Sequence, residues 1–494
     1  MKKLLLLKLA LILLLAIPAT TVFAQDISPE AEQHILNELT RAQIPNAAVA
    51  VIQNGEVSYI LKDSAHDTLF RIGSIGKSMT GFGILLLEDM GLLSVTDPVN
   101  QHLPWFEVRY NGDPVPHSDI TIYNLLHHTS GLTSDERRFP STIHDLSKDE
   151  VTAQLTGIEL AFYPSTTWEY GNVNFVILGF IIEAVSGQSY DEFMTQQVLH
   201  PLGMYNTFMD AERARATGRT APGGHRYGFL RPRPVSAHIS TVSAATGGQY
   251  SSISDMARWA GIHLGTVEVD EQFARVVQRS HMHHHASDAP FEGAAMFGDD
   301  LVYTAGFMFF ESGAFGHGGS TLGDFSDLMM FPERGTAVVV LSNLRLLDAP
   351  AWTSLALEAA DGGVLARVGM DPFLGLDIIF LALAAIGLWF IVLLVRLAIK
   401  SSKKLRDGEN MRSKLRITWL IAPILAILGL LIINFAFSVM FSNSVELVRL
   451  IKPASWGVAT AAVWVMFAYS ICSLLFKLFI RGEKEKKTKK VGKR

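Results

Sequence analysis

One residue in 494 is cysteine, Cys472, which excludes a disulfide framework and a cysteine-built zinc site. Charge is also sparse. Only 18% of residues carry it against 49% that are hydrophobic, and the mean hydropathy is +0.26. That balance fits neither a disordered chain nor an ordinary soluble one. Lysine is nearly missing from the long middle. Between Gln25 and Val395 there are three lysines (Lys62, Lys77 and Lys148), while arginine fills the other 17 basic positions. This stretch holds 20 basic and 42 acidic residues, a net of −22, which repels phosphate backbones and excludes nucleic acid as a main partner. The formal charge of the whole chain is only −5, because residues 396–494 carry 19 basic residues against 5 acidic ones.

What is present at the two ends speaks of a membrane. Lys2 and Lys3, the apolar run Leu4 to Ile17 and the small residues up to Ala24 read as a secretory leader, residues 1–24. Three apolar segments, about 373–395, 417–440 and 456–476, each reach the roughly 20 residues that a helix needs to cross hydrocarbon. The loop from Arg396 to Arg416 and the tail 481–494 are strongly basic, whereas Arg449 and Lys452 alone lie between the second and third segments. Positive charge stays in the cytoplasm, so residues 25–365 are expected outside, followed by a three-span region 366–480 and a cytoplasmic tail. Membrane lipid is then an expected partner.

Within 25–365 the hydrophobic period changes twice. Ser28-Pro29-Glu30 signals a helix start, running to about Arg41. Ala47–Ile52 and Val57–Ile60 around Asn54-Gly55 read as a hairpin. Helices are expected over Ser74–Met90, Val173–Val185 and Ser254–His263. Strands are expected over Val302–Glu311, Asp324–Phe331 and Thr336–Leu341, then a helix over Ala351–Ala360. Strands at both ends with helices between them imply one α+β domain whose terminal strands share a sheet.

Three short motifs are candidates for chemistry. Ser74 and Lys77, three apart at a helix start, share one face. A serine hydroxyl needs a base, and a neutral amine one turn away is one. Lysine titrates near 10.4, so this role requires a downward shift of about three units, roughly 4 kcal/mol, from burial and the positive helix end. The same helix end leaves the Ser74 amide ready for an oxyanion. Arginine cannot act as a base, so a rare lysine inside an apolar helix draws notice, although Ser401 and Lys404 repeat the spacing by chance. Tyr170-Gly171-Asn172 precedes a helix; a phenol relays protons and an amide holds a carbonyl. The alternative for it is loop packing. Phe315-Gly316-His317-Gly318-Gly319-Ser320 offers close backbone approach at Gly319 and a second oxyanion amide at Ser320; the alternative is a glycine-rich hairpin. The run His281-Met282-His283-His284-His285 reads as a solvated loop, since adjacent histidines share no helix face, and no metal is expected.

In this order, Ser-x-x-Lys, Tyr-x-Asn and His-x-Gly resemble the serine β-lactamase and penicillin-binding protein superfamily, in particular its class C-like branch of carboxypeptidases, esterases and aminopeptidases. Leu125-Leu126-His127-His128-Thr129-Ser130-Gly131-Leu132 and Gly247-Gly248-Gln249-Tyr250-Ser251-Ser252 add to the likeness. The resemblance implies a β-lactamase/transpeptidase-like domain, an antiparallel sheet flanked by helices with a helical subdomain. It implies an acyl-enzyme in which Ser74 attacks, Lys77 and Tyr170 move protons, Asn172 positions substrate and His317 lines the pocket. No cofactor is implied, and the partner is a small-molecule or peptide substrate. One departure stands out. Class C β-lactamases carry Lys-Thr-Gly where this chain has His317-Gly318-Gly319, so a fixed cation for a substrate carboxylate is missing. Arg231 and Arg233 are candidates to replace it. The competing reading is an inactive domain kept as a ligand sensor.

Overall fold

The computed structural model describes residues 27–133, 147–209, 211–228, 231–235, 244–282, 301–345 and 349–363, with residue 382 alone beyond them. The expected leader, the three expected spans and the basic tail lie outside the described residues. Among those described, no single helix is long and apolar enough to cross a membrane. The chain divides into two compact units, residues 1–225 with 234–369, and residues 226–233 with 370–494. Of the second, residues 226–228 and 231–233 are described, with Arg231 and Arg233 exposed.

In the first unit, helix α1 (Pro29–Arg41) starts where Ser28 caps it, the Ser28 hydroxyl accepting from Ala31 N–H at 3.2 Å. Strands β1 (Ala47–Gln53) and β2 (Glu56–Lys62) form the expected hairpin, with Asn54 at φ +52 and Gly55 at +90 as an Asn-Gly turn demands. The chain returns to this sheet far downstream with β3 (Leu301–Thr304), β4 (Phe307–Phe310), β5 (Phe315–Ser320), β6 (Phe325–Phe331) and β7 (Thr336–Ser342). The order across seven strands is β3-β4-β5-β6-β7-β1-β2, with all neighbours antiparallel. The terminal strands therefore share the sheet, with Val49 opposite Val340. One expectation needs correction. The single strand expected over Val302–Glu311 is two, because Ala305 and Gly306 take φ +48 and +91 and fold it back.

Every residue of β7 is buried, as a Val-rich central strand covered on both faces should be. Helix α2 (Gly76–Asp89) is buried all round from Gly76 to Leu87 and forms the middle of the core. Helices α3 (Asn172–Ser186) and α5 (Glu271–Ser280) pack on it, while α4 (Ile253–Leu264) lies on β7 and β1. Gly187 and Gly265, at φ +70 and +73, end α3 and α4. Helix α6 (Ala349–Ala360) rests on β6, β7 and β1.

Asp327 of β6 is buried beneath α6, where the Thr353 hydroxyl donates to it. Burial pushes its carboxyl up from 3.8 to about 6. The folded chain thus holds a proton that the unfolded chain has lost, and stability falls as pH rises from about 4 to about 6. The loss at neutral pH is about 3 kcal/mol at most. Asp327→Asn should melt higher than wild type at pH 7.5, with the difference vanishing at pH 4, in paired thermal melts.

Candidate active site

Ser74 sits in a turn of 3₁₀-helix, Gly73–Ile75, that leads directly into α2. The turn is pinned between the end of β5 and the Gly247 segment. Gly73 has φ +51, and a Cβ there would lie 2.7 Å from the Ser320 amide nitrogen. Across the same contact, a Cβ on Gly319 would come within 2.1 Å of the Ile72 carbonyl oxygen. Bare backbone on both sides lets the Ser320 amide reach the neighbourhood of Ser74.

One helical turn on, Lys77 is wholly buried. Its Nζ lies 3.0 Å from Ser74 Oγ and 2.7 Å from the Thr246 carbonyl oxygen, above the ring of Tyr170 at 5.0 Å and near Phe175 at 5.8 Å. Burial drives this amine well below the ordinary lysine value, and no carboxylate among the described residues pairs with it. Uncharged, it has one N–H for Thr246 and a lone pair for Ser74.

Tyr170 precedes Gly171, the N-cap of α3. Burial pushes its hydroxyl well above the ordinary tyrosine value, and the neighbouring Ser74 hydroxyl offsets part of that rise. It is a neutral phenol at physiological pH. Asn172, the first residue of α3, is half-buried, and its side chain has no partner among the described residues. The amide that the protein uses for its own architecture is Asn174, two positions on, which accepts from Ser130 Oγ at 2.5 Å and donates toward the Leu132 and Gly171 carbonyls.

His317 of β5 lies 6.0 Å from Tyr170, ring to ring, and is 3% exposed. Its Nδ1 is 2.6 Å from the Gly318 carbonyl oxygen, so that nitrogen bears the hydrogen. Its Nε2 is left to accept from the Tyr303 hydroxyl at 3.2 Å. Burial and the neighbouring Lys77 push the imidazole down to about 3. The structure thus brings Ser74, Lys77, Tyr170, His317 and Gly319 together, with Ser320 at the exposed end of β5.

Residues 31–361 match the family described as Beta-lactamase. The chain belongs to the beta-lactamase family. Its members are in general serine hydrolases. Protein flp of Staphylococcus aureus (strain N315) is 27% identical over 336 residues, covering 66% of this chain. The match spans 64% of flp, just under two thirds of that relative's length. Unguisins hydrolase ungD′ of Aspergillus campestris (strain IBT 28561) is 28% identical over 239 residues, 45% of this chain and 44% of its own. Among solved structures, an octameric penicillin-binding protein homologue from Pyrococcus abyssi superposes with a TM-score of 0.56 at 25% identity, over 71% of this chain and 80% of that one. A class C beta-lactamase superposes at 0.57 over 71% and 99%; at 17% identity it shows the shared fold alone.

Three residues of this beta-lactamase-family site were not singled out by sequence reasoning. Tyr303 lay inside what read as an uninterrupted strand, Thr246 acts through its carbonyl, and His128 lay in a stretch quoted only for its likeness. The histidine run also needs correction. His281 is half-buried rather than fully solvated. It caps α5 at the C-terminal end, sits 3.0 Å from His263 Nδ1 and packs its ring 4.6 Å from Phe315. His283 to His285 lie outside the described residues. Among those described, no group of three or more metal-ligating side chains exists.

Gly319→Ala should cost about 1–3 kcal/mol through overpacking against Ile72. Gly223→Ala, which meets nothing within 4 Å, should stay within about 0.5 kcal/mol of wild type in the same denaturant series.

Proposed function

We propose that this chain is a serine hydrolase that forms an acyl-enzyme on Ser74 and acts on uncharged peptide, amide or ester substrates. The observation that carries the reading is the buried Lys77 amine, 3.0 Å from the Ser74 hydroxyl with no counter-ion among the described residues. Ser74 Oγ attacks the substrate carbonyl carbon as its proton passes to Lys77 Nζ. The oxyanion that forms is held by the amides of Ser74 and Ser320. When the bond to the leaving group breaks, the proton returns to that group through Tyr170, and Asn172 holds the substrate's own amide. Water then cleaves the acyl-serine by the reverse sequence. The family's general chemistry supports this reading, and no motif residue that it requires is missing.

Substrate charge follows from β5. Neither ring nitrogen of His317 is free to gain a proton, so the strand offers no cation to a carboxylate. Neutral acyl donors therefore suit the site better than β-lactams or C-terminal D-alanine. We further place the domain outside the cytoplasm, tethered by the three apolar segments of 366–480, on the strength of their length and the basic loops beside them.

A fluorescent fluorophosphonate should label the wild-type chain and fail to label Ser74→Ala; equal labelling of both overturns the reading. Lys77→Met should lower kcat/KM for a short-chain ester by at least about 1,000-fold. In wild type, kcat/KM should fall as pH drops and the amine takes up a proton, with no fall between pH 7 and 9. His317→Lys adds a cation, and penicillin labelling should rise about 10-fold while ester turnover drops, because the new charge pushes Lys77 still lower. Competition gels with the two probes measure both effects.

A further inference from the structure

His128 is fully buried yet holds its backbone at φ +56, the left-handed region that side chains rarely adopt. Strain of this kind persists where the surroundings impose it, and it concentrates at working sites. Its surroundings here are the N–H groups of the residues on either side of Tyr170. Glu169 N–H donates to the His128 carbonyl at 3.1 Å, and Gly171 N–H donates to His128 Nδ1 at 3.3 Å. One residue grips the chain both before and after the phenol.

The tautomer follows from the neighbours. Asn174 Nδ2 also points at His128 Nδ1, at 3.0 Å. That amide cannot be reversed, because its oxygen accepts from Ser130 and its nitrogen faces two carbonyls. With Gly171 N–H donating to it and the two N–H bonds of Asn174 shared between it and two carbonyls, Nδ1 has no place for a hydrogen, and the ring proton sits on Nε2. That nitrogen is buried with no partner among the described residues. The ring itself packs at 4.6 Å from Tyr170, 4.5 Å from Tyr303 and 5.4 Å from Phe175. Burial holds the imidazole well below its ordinary value, and Lys77, His317 and His127 act in the same direction.

We propose that His128 is the positioning residue of this site: accepting from the N–H groups of Glu169 and Gly171, the residues either side of Tyr170, through its carbonyl and its Nδ1, it fixes the phenol over Ser74 and Lys77. It does not touch substrate. Because Nδ1 is already filled, it also brings no second positive charge to Lys77. The kinetic consequence rests on the hydrolase reading; the hydrogen-bond placement does not.

Two variants of the full chain separate positioning from packing. His128→Phe keeps a ring but removes the Nδ1 acceptor. His128→Asn keeps an acceptor near that atom and tolerates a left-handed backbone. On a nitrophenyl ester, with Ser74→Ala as background, His128→Phe should lose roughly 100-fold in kcat with KM within about twofold. His128→Asn should recover to within about fivefold of wild type. A folded His128→Phe at wild-type kcat, or an Asn variant no better than Phe, overturns the proposal. ¹⁵N NMR of the histidine-labelled full chain gives a readout without turnover, His128→Asn identifying the resonance. Nδ1 should stay unprotonated and Nε2 protonated from pH 5 to pH 8. A His128 that titrates in this range, or carries its proton on Nδ1, also overturns it. Should the wild type hydrolyse no ester at all, the hydrolase reading falls, and the NMR alone decides the placement.

Discussion

The proposed chemistry depends on keeping one amine dry. Lys77 sits at the start of a helix that is buried on every side, under the Thr246 carbonyl and against two aromatic rings. Exposed to water, the same side chain would be a cation and could not serve the base role proposed for it. The removal of water is achieved by large elements: α3 and α5 cover α2, and the last residues of β5 close on the turn that carries the serine. Site and core are here one packing problem.

A common electrical logic runs through the neighbours. Lys77, His128 and His317 are three nitrogen bases pushed toward their uncharged forms by burial, with Lys77 adding to the effect on both histidines and His317 to that on His128. Hydrogen-bond geometry reinforces this, since donors fill Nδ1 of His128 and the Tyr303 hydroxyl fills Nε2 of His317. These three side chains therefore carry no formal charge in the resting state. Charge appears among them only as the reaction creates it, which favours a transition state over a charged ground state.

Much of this was legible in the residues. The Asn54-Gly55 hairpin, the capped start of α1 at Ser28 and the sharing of one sheet by the terminal strands follow from local turn chemistry and period. Ser74 and Lys77 declared themselves by spacing and by the scarcity of lysine around them. What stayed hidden belongs to tertiary contact. Nothing local announces that Ala305 and Gly306 would split a strand, that Tyr303 would meet His317, or that His281 would leave a polar run to pack on Phe315. His128 is the sharpest case, because its significance lies in two peptide groups some forty positions away. Asn172 and Asn174 show the converse: among the described residues the motif residue's amide has no partner, and an unremarked neighbour carries the internal bonds.

The pairing of β1 with β7 has a bearing on biosynthesis. Ala47 meets Ser342 and Gln53 meets Thr336, so an early strand of the domain waits for one of its last before the sheet can close. On a ribosome, β1 and β2 emerge as a lone hairpin with an unpaired, apolar edge, and nearly three hundred residues pass before that edge is satisfied. Such long-range closure is slow and leaves a sticky intermediate. In a chain built this way the sheet closes only after almost the whole domain has been made.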